Sequence, residues 1–298
     1  MDLYNLSDIK TIKSILNNYG FKFSKSLGQN FIISDTVCPK MAKECVTDGE
    51  NKNVGVIEIG PGIGVLTVEL AKKFKKVVSI EIDKNLIPIL SETTKELENI
   101  KIINADVLKT DLKKVISEEF MGFDEINICA NLPYYITSEI LMYILESGLN
   151  INSIVVMVQK EAATRICASP GTRDSGAISL AVKYYGNPKV VFNVGRGCFI
   201  PSPNVDSAVI KIEMDKTNSK NIINKDMYFR VIKAAYGKRR KNILNSLSMG
   251  MNIPKQEIEK ALLNLKISNS KRAEELSFDD FVNISNVLYQ SLSQKIRV

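Results

Sequence analysis

Residues 131–134, Asn-Leu-Pro-Tyr, have side chains that could hold an aromatic amine while it attacks a methyl group. The amide of Asn131 offers an oxygen that accepts a hydrogen bond from an N–H donor. Pro133 has no N–H and a fixed φ, which favours a stiff turn and leaves neighbouring carbonyls pointing outward. Tyr134 supplies a flat ring on which a base can stack. The alternative for this run is a strand end closed by an ordinary proline turn.

A second set of candidates follows successive strand-like segments. Residues 58–64, Glu-Ile-Gly-Pro-Gly-Ile-Gly, form a glycine loop that permits a tight turn and close approach of a ligand to the backbone. Glu81 ends the next strand, where a carboxylate can accept both hydrogen bonds of a ribose diol. Asp106 follows the third strand and could accept a hydrogen bond from an adenine amino group. Singly, each acid could be a solvated loop residue; together they predict a nucleoside-containing cofactor.

The chain contains no histidine, so its chemistry must work without an imidazole base. This disfavours most hydrolases and a dinucleotide dehydrogenase. Because residues 131–134 suit methyl transfer to a base amine, S-adenosylmethionine is the expected cofactor. The 5 cysteines are scattered, with no C-x-x-C pair, which predicts reduced, mostly buried thiols rather than a disulfide framework or a metal site.

Strand-like and helical patterns alternate over much of the chain, which predicts a parallel sheet covered on both faces by helices. A short helix over residues 8–19 comes first. Residues 190–194 and 207–212 are predicted as the last strands, a hairpin at the sheet edge. The other predicted strands are 54–59, 77–82, 100–104, 125–130 and 153–158, and the predicted helices between them are 65–74, 84–97, 111–119 and 137–147.

The composition changes beyond residue 215. Residues 216–298 carry 16 Lys and Arg against 7 Asp and Glu, so this part holds the whole basic surplus of a chain with net charge +7. Such asymmetry favours a nucleic-acid partner, with a solvated basic surface as the alternative. The pattern here is helical, and Ser277 with Asp280 predicts a capping box before a helix on which Phe281, Ile284 and Leu288 share one face. We therefore expect domains at 1–213 and 214–298.

Taken together, these motifs resemble the ribosomal RNA adenine dimethyltransferases, the family that modifies two adjacent adenosines near the 3′ end of small-subunit (16S) rRNA. The resemblance covers nearly the whole chain. Ile32 stands where the family usually has leucine, and Ser175 stands where an aromatic residue is common. The matching segments are residues 27–32, 58–64, Glu81, Asp106, 131–134, 159–161, 199–207 and the basic run Lys238, Arg239, Arg240 and Lys241.

The resemblance implies an α/β, Rossmann-like S-adenosylmethionine-dependent methyltransferase domain followed by a small helical domain. It implies that S-adenosylmethionine is contacted by Asn30, Ile32, Gly60, Glu81, Asp106 and Asn131.

The adenine amine is expected to donate hydrogen bonds to the Asn131 side-chain oxygen and to a backbone carbonyl near Leu132 and Pro133. These bonds favour a pyramidal, more reactive nitrogen, and correct positioning supplies much of the acceleration. The flipped base needs stacking partners. Tyr134 is one, and Phe199 is the candidate for the other, with a core aromatic as its alternative. The basic run, read as part of a helix, is expected to contact RNA phosphates.

The predicted function is transfer of methyl groups to two adenosines of 16S rRNA during 30S assembly, by a monomer that needs no metal. The lack of a membrane-length apolar run and of a signal-peptide pattern favours the cytoplasm. One alternative is a large-subunit rRNA methyltransferase conferring macrolide resistance, which Pro61 and Leu132 disfavour. DNA adenine methyltransferases usually have a second proline at the position of Leu132. A non-catalytic ribosome assembly factor is disfavoured by the intact Asn131 and Tyr134.

Overall fold

The structure is a computed structural model that describes residues 4–24, 27–46, 53–238 and 240–296. Its contacts divide the chain into two compact units. The first comprises Met1–Ala163 and Lys189–Met214, and the second comprises Thr164–Pro188 and Asp215–Val298. The second unit therefore includes residues 164–188, which the boundary drawn from the sequence assigns to the first domain.

The strands in chain order are β1 (Phe31–Ile32), β2 (Val54–Ile59), β3 (Lys76–Glu81), β4 (Ile100–Asn104), β5 (Glu125–Asn131), β6 (Ser153–Gln159), β7 (Gly186–Val194), β8 (Phe199–Ile200) and β9 (Ser207–Met214). Seven of them form one sheet in the order β4-β3-β2-β5-β6-β9-β7, and β1 pairs with β8 separately. The β2–β3, β3–β4, β2–β5 and β5–β6 pairs are parallel, whereas β9 runs antiparallel to β6. The predicted α/β sheet and its order of strands and helices are confirmed.

The helices in chain order are α1 (Ile9–Asn18), α2 (Val37–Cys45), α3 (Val65–Ala71), α4 (Ile87–Thr93), α5 (Leu112–Glu119), α6 (Thr137–Glu146), α7 (Lys160–Cys167), α8 (Ala177–Tyr185), α9 (Lys225–Tyr236), α10 (Ile243–Met251), α11 (Lys255–Asn264) and α12 (Phe278–Ile296). Helix α4 is shorter than the predicted 84–97. Its first turn contains a proline, which fits a helix start, and near its end the Thr94 hydroxyl donates to the Leu90 carbonyl.

The core of the first unit supports the cleft described below. Every residue of β2 is buried, as expected for a strand covered on both faces. One hydrophobic cluster packs Ile12 and Ile15 of α1 against Ile63 of the glycine loop and against Leu86 and Ile89. Helix α1 thus holds the glycine loop from outside the sheet, a contact that the sequence pattern does not indicate.

The second unit is helical. The predicted capping box is present, because the Ser277 N–H donates to Asp280 Oδ2 at 2.9 Å and the Asp280 N–H donates to Ser277 Oγ at 3.1 Å. Phe281, Ile284 and Leu288, predicted to share one face of α12, are all buried. Tyr228 of α9 is also buried and donates to the Leu180 carbonyl of α8 at 3.2 Å. This packing explains why residues 164–188 group with the C-terminal helices.

Among the residues that the structure describes, no helix combines the length and the apolar character that crossing a membrane requires.

Candidate cofactor and amine-binding site

One cleft of the first unit lies at the carboxyl ends of β2, β3 and β5. It lies where the strand order reverses, since β3 and β5 flank β2 on opposite sides. Ligands of open α/β sheets bind at such switch points. The cleft is lined by most of the predicted site residues, namely Asn30, Ile32, Gly60, Glu81, Asn131, Leu132, Pro133 and Tyr134.

The glycine loop presents its backbone to this cleft. Gly60 and Gly62 have φ values of 67° and 61°, in the left-handed region that favours glycine. A Cβ on Gly62 would lie 3.1 Å from the Phe31 ring, whereas a Cβ on Gly60 would meet nothing closer than the Asn131 carbonyl oxygen at 3.9 Å. At Gly60 the loop therefore exposes its backbone, with no side chain in the way of an approaching cofactor.

Glu81 lies at the end of β3 and is 4% exposed. The Gly62 N–H donates to its Oε2 at 3.1 Å, and the Asp83 N–H donates to its Oε1 at 2.8 Å. Burial raises the pKa of Glu81, and these backbone donors oppose the rise. The carboxylate is thus fixed in position, and each oxygen keeps a lone pair for a ribose hydroxyl. The cleft therefore fits the predicted nucleoside.

The orientation of the Asn131 amide follows from its neighbours. Its Nδ2 donates to the Asn30 carbonyl at 3.1 Å, and the Asn30 Nδ2 donates to the Gly28 carbonyl at 3.0 Å. The hydrogen-bond network thereby assigns nitrogen and oxygen in the Asn131 side chain. Because the nitrogen donates to a protein carbonyl, the oxygen is the atom of this amide that could accept a hydrogen bond from a ligand.

The sequence left the backbone carbonyls of Leu132 and Pro133 as alternative acceptors, and the turn after Asn131 distinguishes between them. The Pro133 carbonyl already accepts from the Thr137 hydroxyl at 3.0 Å and from the Ile136 N–H at 3.3 Å. The Leu132 N–H donates to the Met157 carbonyl at 3.1 Å, and no donor in the described part of the chain contacts the Leu132 carbonyl. The Leu132 oxygen is therefore the available backbone acceptor.

Tyr134 lines the same cleft and is partly exposed. Its hydroxyl oxygen lies 2.6 Å from the Oγ of Ser207, at the start of β9. Burial raises the pKa of Tyr134, so the hydroxyl stays neutral. Asn131 and Tyr134 therefore line one cleft, and stacking of a base on the Tyr134 ring stays a prediction.

The structure places Phe199 in the core rather than in the cleft. The residue is 3% exposed and packs in a cluster that includes Val37 and Met41. Strand β8 pairs with β1, so Phe199 lies opposite Ile32. In this conformation Phe199 is the core aromatic that the sequence offered as the alternative, and its role as second stacking face stays a prediction.

Asp106 also lies outside the set of residues that line the cleft. Its Oδ1 accepts from the Leu108 N–H at 3.0 Å and begins a short 3₁₀ turn. Its Oδ2 lies 3.7 Å from Lys109 Nζ, and the residue is partly exposed. Asp106 follows β4, next to the strand that carries Glu81, so a contact with adenine remains a prediction.

The described residues of the basic run, Lys238, Arg240 and Lys241, do not lie in a helix, contrary to the prediction. Helix α9 ends at Tyr236 and α10 begins at Ile243, and these three residues lie between the two helices. The Asn242 side chain accepts from the Asn245 N–H and so caps α10, which starts a new helix after the turn. Lys238, Arg240 and Lys241 are exposed, and Arg239 lies outside the described residues.

Two contacts of the site have no signal in the sequence. Gln29 donates from Nε2 to Asp83 Oδ2 at 2.7 Å and accepts from the Ser24 N–H at 2.8 Å. This bridge ties the segment that precedes Asn30 to the loop after Glu81. The second contact, between Tyr134 and Ser207, joins residues 73 positions apart. Neither pair could be found without knowing which loops meet.

Comparisons with known proteins match the chain to a family whose chemistry fits this cleft. A family model described as ribosomal RNA adenine dimethylase matches residues 20–290. Ribosomal RNA small subunit methyltransferase A of Clostridioides difficile (strain 630) is 43% identical over 291 residues, which cover 97% of this chain and 99% of that protein. The protein of the same name from Bacillus pumilus (strain SAFR-032) is 45% identical over 284 residues, 94% of this chain and 96% of that protein.

Two solved structures share the fold. A dimethyladenosine transferase from Plasmodium falciparum has a TM-score of 0.67 and 23% identity, covering 85% of this chain and 96% of that chain. The 23S rRNA methyltransferase ErmE has a TM-score of 0.65 and 24% identity, covering 87% of this chain and 100% of that chain. At such low identity both likenesses show the fold alone.

The fold and the cleft define an S-adenosylmethionine-dependent methyltransferase. The chain belongs to the ribosomal RNA adenine dimethylase family. It is accordingly an enzyme that takes its methyl groups from S-adenosylmethionine and transfers them to adenine in ribosomal RNA.

Proposed function

We propose that this chain dimethylates the exocyclic amines of two adjacent adenosines near the 3′ end of 16S rRNA during 30S assembly. The observation that carries the chemistry is the Asn131 amide, whose nitrogen is held by the Asn30 carbonyl so that its oxygen remains an acceptor in the cleft. The relatives that are 43% and 45% identical are named for the small subunit, which supports that substrate over large-subunit rRNA.

The cleft residues would hold both reactants without a general base. S-adenosylmethionine supplies the electrophilic methyl group when it is bound. Asn30, Ile32, Gly60 and Glu81 are the lining residues that would hold this cofactor, and Asp106 is a further candidate beyond the lining. Glu81 would accept the ribose hydroxyls, and the open backbone at Gly60 permits close approach.

In the first transfer the target amine would donate one hydrogen bond to the Asn131 Oδ1 and one to the Leu132 carbonyl oxygen. Both acceptors draw the nitrogen towards a pyramidal geometry, which frees its lone pair for attack. After transfer the methylated amine loses a proton to water. Holding the amine in a fixed geometry supplies much of the rate acceleration over the same amine free in solution.

The RNA would be held by further contacts. Leaving the base stack costs a few kcal/mol, and stacking on an aromatic ring returns about 1–3 kcal/mol. Tyr134 supplies one such face. The exposed Lys238, Arg240 and Lys241, together with Arg239, would contact phosphates and orient the RNA. We assign this contact to the domain at 214–298.

The setting of the reaction follows from its substrate. We place the enzyme in the cytoplasm, where an rRNA undergoing assembly is found, and expect it to act as a monomer without a metal ion. Size-exclusion chromatography with light scattering tests the oligomeric state. Full activity of protein that has been treated with a metal chelator and desalted before the assay would support the metal-free mechanism.

The test of this function measures labelled methyl transfer from S-adenosylmethionine to small subunits that lack the modification. About four methyls per subunit are expected, two on each adenosine, and the Asn131→Ala protein should transfer none. Asn99→Ala is the matched control, because Asn99 also donates from Nδ2 to backbone carbonyls, but it does so outside the cleft. That variant should retain activity.

Other results would move the protein to a rival function. Transfer only to large-subunit rRNA would favour the large-subunit methyltransferase. No transfer, together with tight binding to small subunits, would favour the non-catalytic assembly factor.

A further inference from the structure

Tyr134 is anchored at two points. Its backbone begins the 3₁₀ turn Tyr134–Ile136 that follows Pro133, and its hydroxyl lies 2.6 Å from the Ser207 Oγ. We propose that Ser207 is a positioning residue for methyl transfer, whose hydroxyl holds the Tyr134 ring in the orientation that stacks on the target adenine. This inference rests on the proposed role of Tyr134 as the stacking face.

Ser207 is suited to be a fixed anchor. It is completely buried, and it lies opposite Gln159 in the antiparallel β6–β9 pair. The preceding Asp206 is fixed as well, because its carbonyl accepts from the Lys160 N–H and its carboxylate accepts from the Arg196 N–H, both at 3.0 Å. An oxygen held by such a backbone can define the position of the atom that it bonds.

The ring of Tyr134 needs this second anchor because it is only partly buried. A partly exposed aromatic side chain can change both of its side-chain torsions, and most of those orientations turn the face away from a base. Burial raises the pKa of Tyr134, so its hydroxyl stays protonated, and either hydroxyl can be the donor of the hydrogen bond. The bond therefore selects one orientation before the substrate arrives, which lowers the cost of ordering it later.

A purely structural role makes a different prediction. If the bond only joins the end of β5 to β9, its loss should lower stability and leave the turnover of the folded protein unchanged. If it positions the ring, its loss should lower kcat while cofactor affinity stays constant. Tyr134→Phe and Ser207→Ala remove the same bond from opposite sides, and both keep the aromatic ring.

The experiment compares wild type, Tyr134→Phe, Ser207→Ala and the double variant. We measure kcat for methyl transfer to unmodified small subunits, the Kd of S-adenosylhomocysteine and the thermal midpoint. Each single variant should lower kcat about 3- to 10-fold, the range that one hydrogen bond of ordinary strength corresponds to. The double variant should be no slower than either single one, because the same interaction is lost. The Kd should stay within about twofold.

Ser153→Ala is the matched control. Ser153 is also a buried serine of the β6–β9 pair, at the end opposite Ser207, and its hydroxyl donates to Asn127 Oδ1 at 2.9 Å. Its loss should lower the thermal midpoint and leave kcat unchanged.

Several outcomes would overturn the inference. Folded Ser207→Ala protein with the wild-type kcat is one, and single effects that multiply in the double variant are another. If Ser207→Ala does not fold, Tyr134→Phe decides, since wild-type turnover there also removes the role of the bond. The Tyr134→Ala variant distinguishes a failure of the stacking role of Tyr134 from a failure of the positioning role of Ser207. Normal turnover in Tyr134→Ala refutes the stacking role and this inference with it, whereas slow Tyr134→Ala beside normal Ser207→Ala refutes this inference alone.

Discussion

Glu58 should make the stability of the protein depend on pH, and replacing it with glutamine should remove that dependence. Its side chain lies at the end of β2 and is 1% exposed. Oε2 accepts hydrogen bonds from the Thr67 and Ser79 hydroxyls, both at 2.7 Å. Oε1 accepts none from the part of the chain that the structure describes. Glutamine keeps one oxygen for both hydroxyls and cannot titrate.

The magnitude follows from the pKa of Glu58. Burial raises this pKa from 4.5 to about 7, with a smaller contribution from the charge of Glu81, while the hydroxyls of Thr67 and Ser79 oppose the rise. Between these values the folded protein binds a proton that the unfolded chain has lost. The free energy of unfolding therefore falls as pH rises from 4.5 through about 7 and then levels off. At about 1.4 kcal/mol per pH unit, the loss is about 3 kcal/mol.

The assay is urea unfolding followed by circular dichroism at several values between pH 5 and pH 8. The free energy of unfolding of Glu58→Gln minus that of wild type should increase across this range by about 2.5 kcal/mol, because part of the loss occurs below pH 5. Glu118→Gln serves as the matched control for the loss of one acidic side chain, since Glu118 is an exposed residue of α5. If the free energy of unfolding changed with pH in the same way for wild type and Glu58→Gln, the reasoning would be refuted.

Further predictions concern the cleft and the basic run. Tyr134→Ala should lower turnover about 10- to 100-fold, as the loss of one stacking face implies, and leave S-adenosylhomocysteine affinity nearly unchanged; a large fall in affinity instead would contradict the stacking role. Phe199→Leu keeps a hydrophobic core residue, so normal turnover would identify Phe199 as core only, and a fall would support a second stacking face. Gly62→Ala should weaken S-adenosylhomocysteine binding about tenfold or more, because a Cβ there meets the Phe31 ring and strains the loop. The control Gly122→Ala, at a glycine that also has a positive φ but has open surroundings, should leave this binding unchanged. Neutralising residues 238–241 should flatten the salt dependence of RNA binding by about 0.7–0.9 log units per lost phosphate contact, and an unchanged slope would show that the run faces away from RNA.

Strand positions were predictable because the interior of a parallel sheet demands continuous apolar segments. The bounds of β2 and β4 match the prediction, and those of β5 and β6 differ from it by one residue at the carboxyl end. Helix α2 gave no such signal, since it is short and has a proline in its first turn. Lys238, Arg240 and Lys241 were wrongly assigned to a helix, because charged side chains fit a helix surface as well as a turn.

The chain's own sequence determined the chemistry of the site. Glycine, carboxylate and amide residues at strand ends must meet at one edge of a parallel sheet, so Gly60, Glu81 and Asn131 could be brought together before any coordinates were known. Their types then indicated a nucleoside cofactor and an amine substrate.

Tertiary structure alone decided how these groups are oriented. The Asn30 carbonyl fixes the Asn131 amide, the Thr137 hydroxyl occupies the Pro133 carbonyl, and Ser207 meets Tyr134 across 73 positions of sequence. The core, not the motif, determines that Phe199 is buried. Sequence periodicity specifies which face of an element is apolar, but hydrogen-bond direction and side-chain exposure depend on which distant segments pack together, and those are fixed only when the chain folds.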